Sequence, residues 1–454
     1  MIVSVKARLR LMFFLEYMIK GAWLPLLGLY MGSYLKFSGF EAAWVFSAFG
    51  IASLTGLFFG GQLADRRIAP EKFLAISHLI GGLAILGLAY VKTFWPFFSL
   101  MLLHCFFYVP TLSVANAIAF AHVEDGRRDF GGLRLWGSVG WVAAAWPLIF
   151  LPIDWAAVPS MERLGGFLPW LASALSTLKT GPALESAIGG TFVVSAVASF
   201  ALVALCLALP STPPSTKKGE PFAPLAAIKL LARPAILVLF IVTFFDSTVH
   251  YAYYIWTGRF LVSLGLAPNW VAPAMSVGQV MEVVAMAMLG GIIRRMGWRR
   301  TMIFGILSQA VRFGVYAMGT RESIAGVILV NLVHGFAYAC FFATVFIFVD
   351  EHFPRDIRSS AQGLFNLMIL GISQFVSNFL WGGLGDYFTT SGSIAGSTVK
   401  VVDFHKLFLV PFGLSIVAAL ILALFFRPSE SGISPRLERE EEPAVAGLKP
   451  LREG

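Results

Sequence analysis

The chain has 454 residues, 57% of them hydrophobic and only 13% charged, with a formal net charge of +9. A soluble domain carries roughly 25% charged residues, so these charges are too few to cover a water-facing surface. A mean hydropathy of +0.78 therefore points to a polytopic membrane protein. The 42 Phe and 44 Gly suit lipid-facing surfaces and close helix packing. Cys105, Cys206 and Cys340 lie inside apolar runs without metal or redox spacing and read as small packing residues; no cofactor or metal is expected.

Apolar windows of helical length fall near 9–33, 41–63, 73–91, 95–119, 134–151 and 189–209. The first follows Lys6, Arg8 and Arg10 but is too long for a signal peptide and lacks a small-residue cleavage site, so it reads as a retained span. Six more windows follow near 235–262, 270–292, 301–318, 324–349, 360–388 and 405–426. Each is long enough to cross a bilayer as a helix, the form that satisfies its own backbone groups in lipid. The expectation is an all-α membrane protein of twelve transmembrane helices. It divides into an N-terminal six-helix bundle (1–209), a polar linker (210–233), a C-terminal six-helix bundle (234–427) and a disordered tail (428–454). The long segment 152–188 reads as an insertion whose Phe167, Trp170 and Leu178 could lie along the membrane surface.

Lys and Arg concentrate on alternate loops, in clusters around Arg66, Arg127, Lys217, Arg294 and Arg355. By the positive-inside rule these loops and both termini are cytoplasmic, in a bacterial inner membrane. That rule also accounts for the net charge without any nucleic-acid partner.

The turn after the second window reads Gly61-Gln62-Leu63-Ala64-Asp65-Arg66-Arg67. A degenerate copy, Gly290 to Arg300, follows the eighth window 229 positions on. A glycine-and-charge turn at matching places in two apolar halves marks an internally duplicated transporter. It resembles the loop signature of the major facilitator superfamily. Asp65 and Arg66 then read as a cytoplasmic latch, made in one state and broken in another. The second copy has Arg294 where the acid should be, so the latch is expected on one side only.

Ionisable residues deep in a span are costly and are functional candidates by default. Gln279 and Glu282 lie three apart on one face of the eighth span; Asp246, His250, Tyr251 and Tyr254 lie at similar depth in the seventh. Glu282 is expected to carry the coupled proton with Gln279 as its hydrogen-bonding partner, and Asp246, coupled to His250, is the second candidate. Glu16 and Lys20, an i, i+4 acid–base pair in the first span, read as a gate or a structural ion pair. His104 and His334, each alone in an apolar run, read as packing residues.

Several stretches resemble the bacterial nucleoside:proton symporter family. Gly21-Ala22-Trp23-Leu24-Pro25-Leu26-Leu27-Gly28-Leu29-Tyr30-Met31 matches its GxWLxxLGxYM pattern, and Arg134-Leu135-Trp136-Gly137-Ser138-Val139-Gly140 its RxWGxxG. Gln279 and Glu282 stand where that family has a QxxE pair, and Ile357-Arg358-Ser359-Ser360-Ala361-Gln362-Gly363 resembles its entry to the eleventh span. The resemblance implies the major facilitator fold and a nucleoside site at Arg134, Ser138, Trp141, Gln279 and Glu282. There are two departures: the family's amides in the seventh span align with about Tyr251 and Tyr254, and its acid in the tenth with about Ala339. Tyrosines still stack on a base and donate through their hydroxyls.

The function expected is a proton-coupled secondary transporter importing nucleosides by alternating access, as a monomer in the lipid bilayer. The alternatives are the same fold carrying a sugar or other small polar metabolite, and a non-transporting membrane sensor. No nucleophile elbow, phosphate loop or metal-ligand cluster points to an enzyme.

Overall fold

The computed structural model describes residues 4–64, 68–123, 126–212, 230–352, 355–394 and 397–427. The loop residues Asp65, Arg66 and Arg67, most of the linker and the tail beyond 427 lie outside the described residues. Among those described, twelve helical spans run through the chain. Span one is Val5–Leu29, continuing as a π-helical turn over Tyr30–Tyr34; spans two to four are Gly39–Ala64, Pro70–Leu88 and Phe94–Ala121. Span five is Gly126–Ala145 and span six Gly181–Cys206. Span seven is Pro234–Ser263, and the helical stretch Val271–Ala317 is broken at Gly297 into spans eight and nine. Span ten runs over Ile324–His352, span eleven from Arg355 to Tyr387, and span twelve is Phe404–Phe425.

Spans two, four, six, seven and twelve are apolar around most of their circumference, which suits helices sheathed by lipid on one side and by other helices on the other. Gly297 has φ 73°, a left-handed backbone that reverses the chain within the second copy of the charged turn. Spans one and five pack together, as do spans three and four, three and six, and two and four; in the second half, twelve packs on seven and nine, and ten on eight. The halves meet along spans two and eleven, one and seven, and five and eight.

The seam between spans two and eleven is sealed near one end. The Gly39 N–H donates to Asp386 Oδ1 at 2.9 Å, and Asn378 Nδ2 to Ser47 Oγ at 3.2 Å. A Cβ on Gly39 would lie 2.2 Å from the Gly382 carbonyl, so the two backbones touch. The segment before span six folds on itself through an Ile153–Leu178 bridge and a helix, Phe167–Ser176. Phe167 and Leu168 are exposed, and Asn269 Nδ2 ties the helix to the second half through the Leu175 carbonyl at 3.1 Å. An antiparallel hairpin, Thr389–Ile394 with Ser397–Val402, joins spans eleven and twelve; hydropathy gives no sign of it.

Candidate functional site

A cavity of about 290 Å³ lies between the halves, at the low end of the ~300–1,000 Å³ typical of small-molecule sites. Arg134, Ser138 and Trp141 reach it from span five, His250, Tyr251 and Tyr254 from span seven, and Gln279 and Glu282 from span eight. Helix crossings place them. A Cβ on Gly140 would lie 2.0 Å from the Phe14 carbonyl, and one on Gly335 2.2 Å from the Glu282 backbone nitrogen. Glycine at these two points lets span one nest beside Trp141 and span ten nest behind Glu282.

Charge is divided across the gap. The Arg134 guanidinium lies 4.0 Å over the Tyr17 ring, and Arg134 is the charged group acting on Glu282 from the opposite half, without closing an ion pair. Tyr254 faces Gln279 and Glu282 and stands edge-on to Trp141, ring centroids 6.3 Å apart. Tyr251 donates to the Ile369 carbonyl at 3.0 Å, which fixes its ring as wall. Two π-helical turns, Tyr338–Ala343 and Leu367–Ile372, border the cavity and re-aim Tyr338, Phe342, Ile369 and Leu370 into it.

One expectation, the Glu16–Lys20 pair, is corrected. Glu16 does not pair with Lys20. It is fully buried between spans three and four, where His78 Nε2 meets one carboxyl oxygen at 2.8 Å and Thr111 donates to the other at 2.6 Å. Lys20 lies one turn on and faces the cavity, its ammonium 3.7 Å from the Phe49 ring centroid. A carboxylate with two oxygens already bonded has no need of the ammonium. Asp246 shares a helix face with His250, yet only His250 lines the cavity; Asp246 is fully buried in a separate layer with Gln309 and Arg312. His334 is not alone but stacks between His250 and Tyr253 and meets Arg312, whereas His104 bonds the Gly81 carbonyl at 2.9 Å. Asp65 and Arg66 lie outside the described residues.

Sequence reading missed Tyr17, Tyr338 and Asn366 in the wall, and His78 behind it. Tyr17, Lys20 and Leu24 recur at i, i+3, i+7 and share one helix face, so Lys20 carries the signal for Tyr17. Nothing comparable marks Tyr338 or His78.

A family model described as "Nucleoside H+ symporter" matches residues 3–178 and 154–431. The chain belongs to this family. It is a proton-coupled nucleoside transporter and a multi-pass membrane protein, not an enzyme. Similar proteins include the putative nucleoside transporter YegT of Escherichia coli (strain K12), 29% identical over 95% of this chain and 96% of that one. The xanthosine permease of the same organism is 26% identical over 94% of this chain and 96% of its own length. The crystal structure of nucleoside transporter NupG superposes with a TM-score of 0.76 at 24% identity, covering 94% of this chain and 100% of that chain. A D-xylose-proton symporter structure superposes at 0.64 and 13% identity, over 95% of this chain and 98% of that one. These structures share the major facilitator fold.

Proposed function

We propose that the cavity holds one nucleoside, with its base against the Trp141 and Tyr254 corner and its ribose hydroxyls toward Gln279 and Glu282, and that Glu282 carries the coupled proton. The observation that carries this reading is the placement of Arg134 and Glu282, opposite charges on opposite halves of one cavity. With Glu282 ionised, its attraction to Arg134 draws the halves together across the empty site. Protonation removes that attraction, opens room for the nucleoside and leaves a carboxyl that donates to a hydroxyl. The loaded halves rock about the midplane; loss of proton and nucleoside on the other side resets the carrier.

The basic loops support a reading with both termini in the cytoplasm of an inner membrane. The sealed seam at Gly39 and Asp386 is then external. The wall extends toward the other end through Phe346 and Asn366, which suits an inward-facing carrier releasing its load. Asp65 and Arg66 serve as the cytoplasmic latch that closes in the opposite state. The aromatic wall favours a nucleoside over a sugar, because a base has a π-face to stack.

Proteoliposomes containing purified protein test the reading. Uridine or adenosine should accumulate when the outside is acidic, and Glu282→Gln should abolish the response to the gradient. Gradient-driven accumulation that survives Glu282→Gln shows that the proton is carried elsewhere.

A further inference from the structure

Behind the cavity, the second half holds a buried polar layer that the cavity does not include. Asp246 of span seven is fully buried, and neither carboxyl oxygen has a hydrogen-bond partner among the described residues. Gln309 and Arg312 of span nine, both buried, face it: Gln309 stands near enough to act on the carboxyl, though its Nε2 falls short of a well-formed hydrogen bond, and Arg312 acts on it through its charge alone. The guanidinium is engaged elsewhere. Its Nη1 donates to His334 Nδ1 on span ten, its Nη2 to Gln309 Oε1, and it lies 4.4 Å over the Tyr253 ring. Its Nε has no partner.

The layer communicates with the cavity through two rings. His334 stacks on His250 with centroids 5.1 Å apart and 18° between planes, and His250 lines the cavity with its Nδ1 unpartnered. Arginine only donates, so His334 accepts at Nδ1, and its neutral ring holds its proton on Nε2. The remaining groups facing these residues are the phenols of Tyr253, Tyr254 and Tyr316 around Arg312, and Lys20, which acts on His250 from span one.

A buried carboxyl and a buried guanidinium, each with unfilled hydrogen-bonding positions in one layer, form a pair that is not made. Turning Arg312 toward Asp246 would make it, but would withdraw the donor from His334. One donor shared between two acceptors is a two-state element.

We propose that Asp246 is a second proton-binding carboxyl, and that Arg312 reports its state to the cavity through His334 and His250. With a proton on Asp246, Arg312 stays on His334 and Gln309, the arrangement observed. When that proton leaves an Asp246 oxygen for solvent water on the release side of the carrier, the ionised carboxylate draws Arg312 across; His334 loses its donor, and the His250 ring stacked on it is freed to move at the cavity wall. Only hydrogen bonds are exchanged besides the one proton. Asp246 touches no nucleoside, and Arg312 acts as a positioning residue. The proposal rests on proton-coupled transport with Glu282 in the cavity and adds a second titrating site to it.

The test compares two readouts in proteoliposomes: uridine accumulation driven by a pH gradient, and uridine counterflow at equal pH, which needs binding and alternation but no coupling. Asp246→Asn should lower gradient-driven accumulation about tenfold or more and flatten its pH profile, while counterflow stays within about twofold. A wild-type pH profile in Asp246→Asn overturns the proposal. If that variant lacks counterflow, the neutral pair Asp246→Asn with Arg312→Gln decides. Restored counterflow without gradient response supports the second proton site; restored gradient response makes the pair structural and overturns it. Glu282→Gln is run alongside: its retention of gradient-driven accumulation defeats the cavity reading, while a loss in Asp246→Asn still stands.

Discussion

Glu16 and His78 meet at 2.8 Å inside the first half, joining span one to span three, with Glu16 fully buried. Thr111 fills the second carboxyl oxygen and Tyr108 donates to the Glu16 carbonyl at 2.8 Å, so span four is tied to the same point. A buried charge with its partners in place fixes helix register, whereas one stripped of a partner is strongly destabilising. Glu16→Ala should therefore lower stability by about 3–5 kcal/mol, while Glu16→Gln, which still accepts from Thr111, should do less. Thermal unfolding in detergent checks this; equal melting temperatures for wild type and Glu16→Ala would contradict it.

Trp141 and Tyr254 frame the proposed base site from opposite halves. Base–aromatic stacking is worth about 1–3 kcal/mol per base, so Trp141→Ala should weaken nucleoside affinity about 5- to 150-fold. Isothermal titration with a nucleoside and with its free sugar separates stacking from general damage: only the nucleoside should lose affinity to this degree.

Gly335 lies against the backbone at Glu282, where a Cβ would approach to 2.2 Å of backbone nitrogen. No flexible side chain is there to yield, so Gly335→Ala must push span ten away from span eight. Overpacking of this kind costs about 1–3 kcal/mol. Transport should fall more than thermal stability does, because the shift falls on the coupling residue itself; uptake and melting temperature measured together test this.

Asp386 accepts from the Gly39 N–H at the first turn of span two, and Arg259 acts on it from span seven. A hydrogen bond to a charged group contributes about 1.5–3 kcal/mol. Asp386→Ala should therefore shift the balance toward the externally open form about 10- to 150-fold. A cysteine placed at the buried Ala43 beside this seam should react faster with a membrane-impermeant maleimide in that variant. Unchanged labelling would show that the seam holds without Asp386.

Asp403 caps span twelve, accepting from the Lys406 backbone N–H at 3.1 Å and its ammonium at 2.9 Å. These bonds hold its carboxyl below the ordinary carboxylate range. An acid lowered on folding adds stability that is present above its unfolded pKa and lost as pH falls through the folded one. Asp403→Ala should destabilise by about 1 kcal/mol near neutral pH. The gap should close at acid pH below the carboxylate range, which melting curves across pH would show.

Much of the fold was legible because lipid leaves a chain few choices. Twelve apolar windows became twelve spans, with ends displaced by up to eight residues, as where the helix Gly181–Cys206 begins eight residues before its apolar window at 189. The hairpin at 389–402 escaped notice because short β-branched runs outside the membrane carry little hydropathy signal. In the site, Arg134, Trp141, Tyr254, Gln279 and Glu282 were named in advance and line one cavity. Glu16 and Lys20 were paired by helical spacing alone, although spacing is blind to His78, sixty-two residues away.

The sequence by itself determined the class: low charge, twelve apolar lengths, alternating basic loops and a duplicated turn admit a two-half transporter and little else. The tertiary structure alone decided which buried charges are satisfied. Glu16 has both oxygens bonded and Asp246 has neither, yet each is a single acid in an apolar helix. The difference lies in what neighbouring helices bring within about 3 Å, a matter of crossing angle and rotation that helical periodicity does not encode.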